Sequence, residues 1–136
     1  MTVAEESDVV TIAIARDPAL VRTVRLVAAA VARRSGQDEG AVEEIRLAVG
    51  EACAVMIGLD EASTESGDAG AVDPVTVGLN GKHGFRVTVS GRVGSSDAGY
   101  EGILSDPWML LRGIDQNLTV EERDEVTTVT VSWPAA

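Results

Sequence analysis

The stretch Glu43-Glu44-Ile45-Arg46-Leu47-Ala48-Val49-Gly50-Glu51-Ala52-Cys53-Ala54-Val55-Met56-Ile57-Gly58 decides how the rest of the chain is read. With Val42 just ahead of it, apolar residues recur at Val42, Ile45, Val49, Ala52 and Met56, the spacing of a helix with one face in a core. Glu51 departs from that pattern. Its helical neighbours three and four positions away, Leu47, Ala48, Ala54 and Val55, are all apolar. A carboxylate there must reach solvent, find a hydrogen-bond partner or face a cavity where it has chemistry to do.

Upstream, Val9 to Ala15 is rich in β-branched residues and predicts a first strand. Asp17-Pro18 predicts a helix start, with a capping carboxylate and proline at the first helical position, and the helix runs to about Arg34 before Ser35-Gly36. Leu20, Val24, Val27 and Val31 form its apolar stripe, leaving Arg22, Arg25, Ala29 and Arg33 roughly opposite. Downstream, the central helix is expected to end near Gly58, and the acidic, small-residue run from Leu59 to Pro74 reads as a surface loop. Val75–Leu79 and Phe85–Val89 predict a hairpin across Asn80 to Gly84, with His83 in the turn. Gly91 to Gly102 reads as a second loop, and Ser105 or Asp106 with Pro107 opens a short helix through Trp108, Leu110, Leu111 and Ile114. Leu118–Glu121 and Val126–Trp133 make a last hairpin across Glu122 to Glu125. The order β-α-α-β-β-α-β-β predicts an α+β two-layer sandwich over one domain, residues 1–136: a mostly antiparallel sheet with helices on one face.

Composition narrows the function classes. The chain has 136 residues, 45% of them hydrophobic but only one Phe, one Tyr and two Trp, so its core must be aliphatic. A formal charge of −11 argues against non-specific nucleic-acid binding, which depends on neutralising phosphates. Five of the eleven basic residues, Arg16, Arg22, Arg25, Arg33 and Arg34, fall between positions 16 and 34; a cationic helix on an anionic body suits an acidic protein partner. No apolar run is long enough to span a bilayer and Met1 to Asp8 is too acidic for a signal peptide, so a cytoplasmic location without membrane contact is expected. Cys53 is the single cysteine and reads as a small core hydrophobe rather than a nucleophile or metal ligand.

The order of elements, and above all Glu44-Ile45-Arg46-Leu47-Ala48-Val49-Gly50-Glu51-Ala52-Cys53, resembles the anti-sigma factor serine-kinase family of bacteria, within the ATPase superfamily of gyrase, MutL and sensor histidine kinases. The resemblance implies a histidine-kinase-like ATPase fold. In that family the central helix carries Glu-x-x-x-Asn, the Glu as general base and the Asn holding the magnesium that bridges the ATP phosphates. Glu51 matches the base, but the Asn position is Val55, which cannot ligate a hard cation. The family also ends its central strand with Asp-x-Gly-x-Gly around the adenine. Here the strand runs into Ser90-Gly91-Arg92-Val93-Gly94, with Ser90 at the Asp and Arg92 at the first Gly. A third, glycine-rich phosphate turn corresponds to Ser105-Asp106-Pro107-Trp108, which has no glycine and offers no amide hydrogen at Pro107.

With all three boxes eroded, the resemblance implies a pseudokinase that binds an RNA polymerase sigma factor, an anti-anti-sigma protein, or both, with no catalytic residue, no cofactor and no metal. The alternative is an active serine/threonine kinase that uses Mg-ATP to phosphorylate the anti-anti-sigma protein, with Glu51 as base. A third reading is an unrelated α+β module in which Glu51 is simply a surface carboxylate. Counting back without a gap from Glu51 puts Arg25 at the family's sigma-contacting arginine, with Arg22 one turn earlier on the same face. Arg22 and Arg25 are therefore the expected partner-binding residues. The family also dimerises, so a homodimer through the first strand and helix is a rival use for these arginines.

Overall fold

The computed structural model describes residues 9–63, 73–92, 108–114 and 117–135. The elements in chain order are β1 (Val9–Ile14), a 3-10 turn (Pro18–Leu20), α1 (Val21–Arg34), α2 (Glu39–Ser63), β2 (Val75–Asn80), β3 (Phe85–Arg92), α3 (Met109–Ile114), β4 (Leu118–Arg123) and β5 (Val126–Trp133). The five strands form one sheet in the order β1-β2-β3-β5-β4, every neighbouring pair antiparallel, so the α+β class read from the order of elements holds.

Alternation fixes which face of the sheet is covered. On β3, Phe85, Val87, Val89 and Gly91 are buried beneath the helices while Arg86 and Arg92 are exposed. On β5 the buried set is Thr127, Val129, Val131 and Trp133, the face expected from its alternation. Helix α2 lies over the middle of this face through Val42, Ile45, Val49, Ala52, Cys53, Met56 and Ile57, all 2% exposed or less. Each of the Val, Ile and Met side chains in this set contributes about 1.5–3 kcal/mol relative to exposure, so α2 anchors the helical layer. Trp108 and Leu111, at and in α3, are buried in the same core.

Helix ends follow local chemistry. Asp17 accepts from the Ala19 amide at 3.0 Å and starts the 3-10 turn, and the α-helix proper begins only at Val21. Gly36, at φ +90°, stops α1: its amide donates to Arg33 and that of Gln37 to Ala32, the two bonds of a Schellman stop. Asp38 then caps α2 by accepting from Ala41 at 2.8 Å.

Four expectations are corrected. Helix α2 continues past Gly58 to Ser63. Gly91 and Arg92 belong to β3 rather than to a loop, because they pair with Thr127 and Val126. The last hairpin turns in two residues, Asp124 and Glu125, at φ 55° and 69°, so β4 reaches Arg123. Ala29 is buried, since α1 packs closely along α2. The expected phosphate turn at Ser105–Pro107 and most of the loops expected over 59–74 and 91–102 lie outside the described residues.

Candidate functional site

Two stripes of α2 diverge from its buried face, and they carry the two sets of residues singled out by sequence. Gly50, Ala54 and Ile57, spaced four and three apart, face α1. Glu44, Ala48, Glu51 and Val55 form a stripe on the opposite flank, where Glu44 accepts a hydrogen bond from the Trp133 indole at 3.0 Å. The structure therefore separates Arg22 and Arg25 from Glu51 by the width of a helix.

On the α1 flank, Pro18, Val21, Arg22, Arg25, Ala54, Ile57 and Gly58 line a groove of about 400 Å³. Its floor is aliphatic and its cations come from α1. Arg25 is half-buried rather than displayed, because its stem crosses α2 at Gly50 and its Nε is shielded from water without a hydrogen-bond partner. Neither Arg22 nor Arg25 has a carboxylate partner among the described residues. Arg33 does: its guanidinium donates to both Glu39 oxygens, at 2.9 and 3.1 Å, which bridges the turn between the helices. That hydrogen bond holds the Glu39 carboxyl below the usual carboxylate range and raises Arg33. Leu26 and Leu47, 59% and 54% exposed, add apolar area on the outer surface of the helix pair.

On the opposite flank, Glu51 is half-buried and makes no hydrogen bond or ion pair with a described residue. Val55, one turn on, is half-buried too and offers no oxygen. The end of β3 sets the residues of the second box on opposite faces of the sheet. Ser90 sits on the face turned away from the helices, and the residue that faces α2 is Gly91. The residue at the end of this strand that faces α2 therefore carries no side chain at all.

The space over Gly91 is filled by a residue that the sequence did not single out for it. Arg16, just past β1, donates from Nε to the Asp73 carbonyl at 2.7 Å, from Nη1 to Met56 at 2.9 Å and from Nη2 to Arg92 at 2.7 Å. A Cβ on Gly91 would lie 2.9 Å from both Arg16 Nη2 and Met56 Cγ. Arg92 itself is paired with Asp73 and Glu125, each at 3.0 Å. Val55 without a ligand atom, Gly91 without a carboxylate and the Arg16 guanidinium in the space above it do not fit a magnesium nucleotide.

Among the described residues, no group of three His, Cys, Asp or Glu could hold a metal ion. His83 is exposed in the β2–β3 turn, and Cys53 is fully buried, its thiol pushed up to about 12 by burial. No described helix is long and apolar enough to cross a membrane.

The sequence from 14 to 98, more than half of the chain, matches the family model of the histidine kinase-like ATPase domain. No curated protein shows significant similarity to the chain.

Proposed function

Because the chain belongs to the histidine kinase-like ATPase domain family, we propose that it is a regulatory member that has kept a protein-binding surface and works without ATP. It binds an RNA polymerase sigma factor, an anti-anti-sigma protein, or both, and controls the sigma factor by occupancy rather than by phosphorylation. The observation that carries this reading is the contrast between the two flanks of α2. One flank presents a 400 Å³ apolar groove edged by two arginines with no carboxylate partner among the described residues. The other has Val55 where a magnesium ligand would be needed.

The groove suits a partner segment that combines an aliphatic side chain with a carboxylate. Val21, Ala54 and Ile57 receive the first, and Arg22 and Arg25 the second. Arg25 enters such a contact with its stem already held against α2, so less side-chain entropy is lost on binding. A homodimer that used the first strand and helix would compete for the same arginines.

The test is affinity for each sigma factor encoded with this chain, measured for the parent and for Arg25→Glu. A parent Kd in the micromolar range or tighter, weakened in the variant by about 2 kcal/mol or more, is expected if Arg25 is an interface anchor. No binding to any of them, or equal binding by the variant, overturns the reading. Glu51, half-buried and without a partner among the described residues, favours a second reading, an active serine/threonine kinase in which it is the base. Calorimetric titration with Mg-ATP decides between the two: micromolar binding that leads to partner phosphorylation abolished by Glu51→Gln would establish the kinase.

A further inference from the structure

Three acceptors around Arg16 among the described residues are neutral backbone carbonyls drawn from separate parts of the fold: Asp73 ahead of β2, Met56 in α2 and Arg92 at the end of β3. They converge on one point above a glycine, where any side chain at position 91 would collide with the guanidinium or with Met56. Such an arrangement is a cradle for a planar cation with several donors. A guanidinium can serve three divergent carbonyls while lying flat against Gly91; an ammonium is a compact point charge that cannot fill the same plane.

We propose that this cradle is a guanidinium site and that Arg16 is its ligand in cis, standing permanently in the space a nucleotide base would need between α2 and the end of β3. The inference deepens the reading above and rests on it, since it says what occupies the unused site. Its structural role follows from connectivity. Arg16 ties the end of β1 to α2 and to the segments at β2 and β3.

Removing the side chain should leave an empty cradle that accepts a free ligand of the same chemistry. Arg16→Ala is expected to melt roughly 6–12 °C below the parent, from the loss of several charge-assisted hydrogen bonds. At about 10 mM, methylguanidinium chloride should restore roughly 3 °C or more to the variant and nothing to the parent, whereas methylammonium chloride should restore nothing. Melting within about 2 °C of the parent, or equal effects of the two salts, overturns the inference. Should Arg16→Ala fail to fold, Gly91→Ala carries the test: its Cβ must displace the guanidinium or Met56, so unchanged stability would equally overturn it. Mg-ATP titration of the parent separates the two readings. Micromolar binding sinks the ATP-free function, while silence together with failed methylguanidinium rescue sinks only the cradle.

Discussion

Gly50 on α2 makes room for Arg25 on α1: a Cβ at position 50 would lie 3.0 Å from Arg25 Cδ and 3.4 Å from its Nε. Glycine in a helix interior costs about 1 kcal/mol relative to alanine, so here the missing methyl is exchanged for the position of the arginine. In the parent, Gly50→Ala is expected to change stability by less than about 0.5 kcal/mol, because the propensity gain is offset by crowding. In an Arg25→Ala background the same change should recover the full gain, about 1 kcal/mol. Urea unfolding of the four proteins checks this; an equal effect in both backgrounds would show that the two residues do not couple.

The β4–β5 turn stores backbone strain in a residue poorly suited to it. Glu125 has φ 69° and donates no side-chain benefit beyond its pair with Arg92, whose members are 60% and 54% exposed. A left-handed non-glycine residue costs about 1–2 kcal/mol, and an exposed pair is worth about 0–1 kcal/mol. Arg92 also keeps Asp73. Glu125→Gly is therefore expected to stabilise by about 0.5 kcal/mol once the added freedom of the unfolded chain is counted, seen as a higher urea midpoint at unchanged slope. A lower midpoint would show that the Arg92 pair outweighs the strain.

Much of the layer geometry was legible in the sequence because it rests on periodicity. Val42, Ile45, Val49, Ala52 and Met56 all became core, and the alternation of β5 placed Val129 and Val131 inward. At the second box one residue reverses the face of the strand: counting from Val87 and Val89 puts Gly91, not Ser90, toward α2. Gly50 carried a local signal, a glycine inside a strongly helical pattern. Arg16 carried none, because the carbonyls of Asp73, Met56 and Arg92 lie 57, 40 and 76 residues away and only the tertiary fold brings them together. Arg33 looked displayed on its helix, yet the turn at Gly36 delivers Glu39 to it.

Cys53 makes stability depend on alkaline pH. Burial raises its thiol from an ordinary 9.0 to about 12, so the folded state keeps a proton that the unfolded chain releases above pH 9. The contribution is fully present below pH 9 and is lost as pH rises toward 12, at a limiting slope of about 1.4 kcal/mol per pH unit. Cys53→Ala lacks this dependence, though at neutral pH it forfeits about 1–2 kcal/mol of packing. The gap between parent and variant should therefore narrow between pH 8 and 10 in urea unfolding. A gap that stays constant would mean that the thiol titrates alike in both states.

Restoring the missing metal ligand alone should not restore a nucleotide site. Val55 is half-buried on the same stripe as Glu51, so Val55→Asn places an amide where a magnesium ligand would stand and leaves the core face of α2 intact. The change removes one obstacle of several. Gly91 still supplies no carboxylate to the base, and the Arg16 guanidinium still fills the space above it with bonds of 2.7 to 2.9 Å to three carbonyls. Displacing that side chain would forfeit charge-assisted hydrogen bonds worth about 1.5–3 kcal/mol each, which a base lacking its carboxylate partner cannot repay. Calorimetry of Val55→Asn with Mg-ATP is accordingly expected to stay silent to about 1 mM, a binding free energy weaker than about −4 kcal/mol. Micromolar binding would mean that the metal ligand was the sole obstacle and that Arg16 yields readily to a nucleotide.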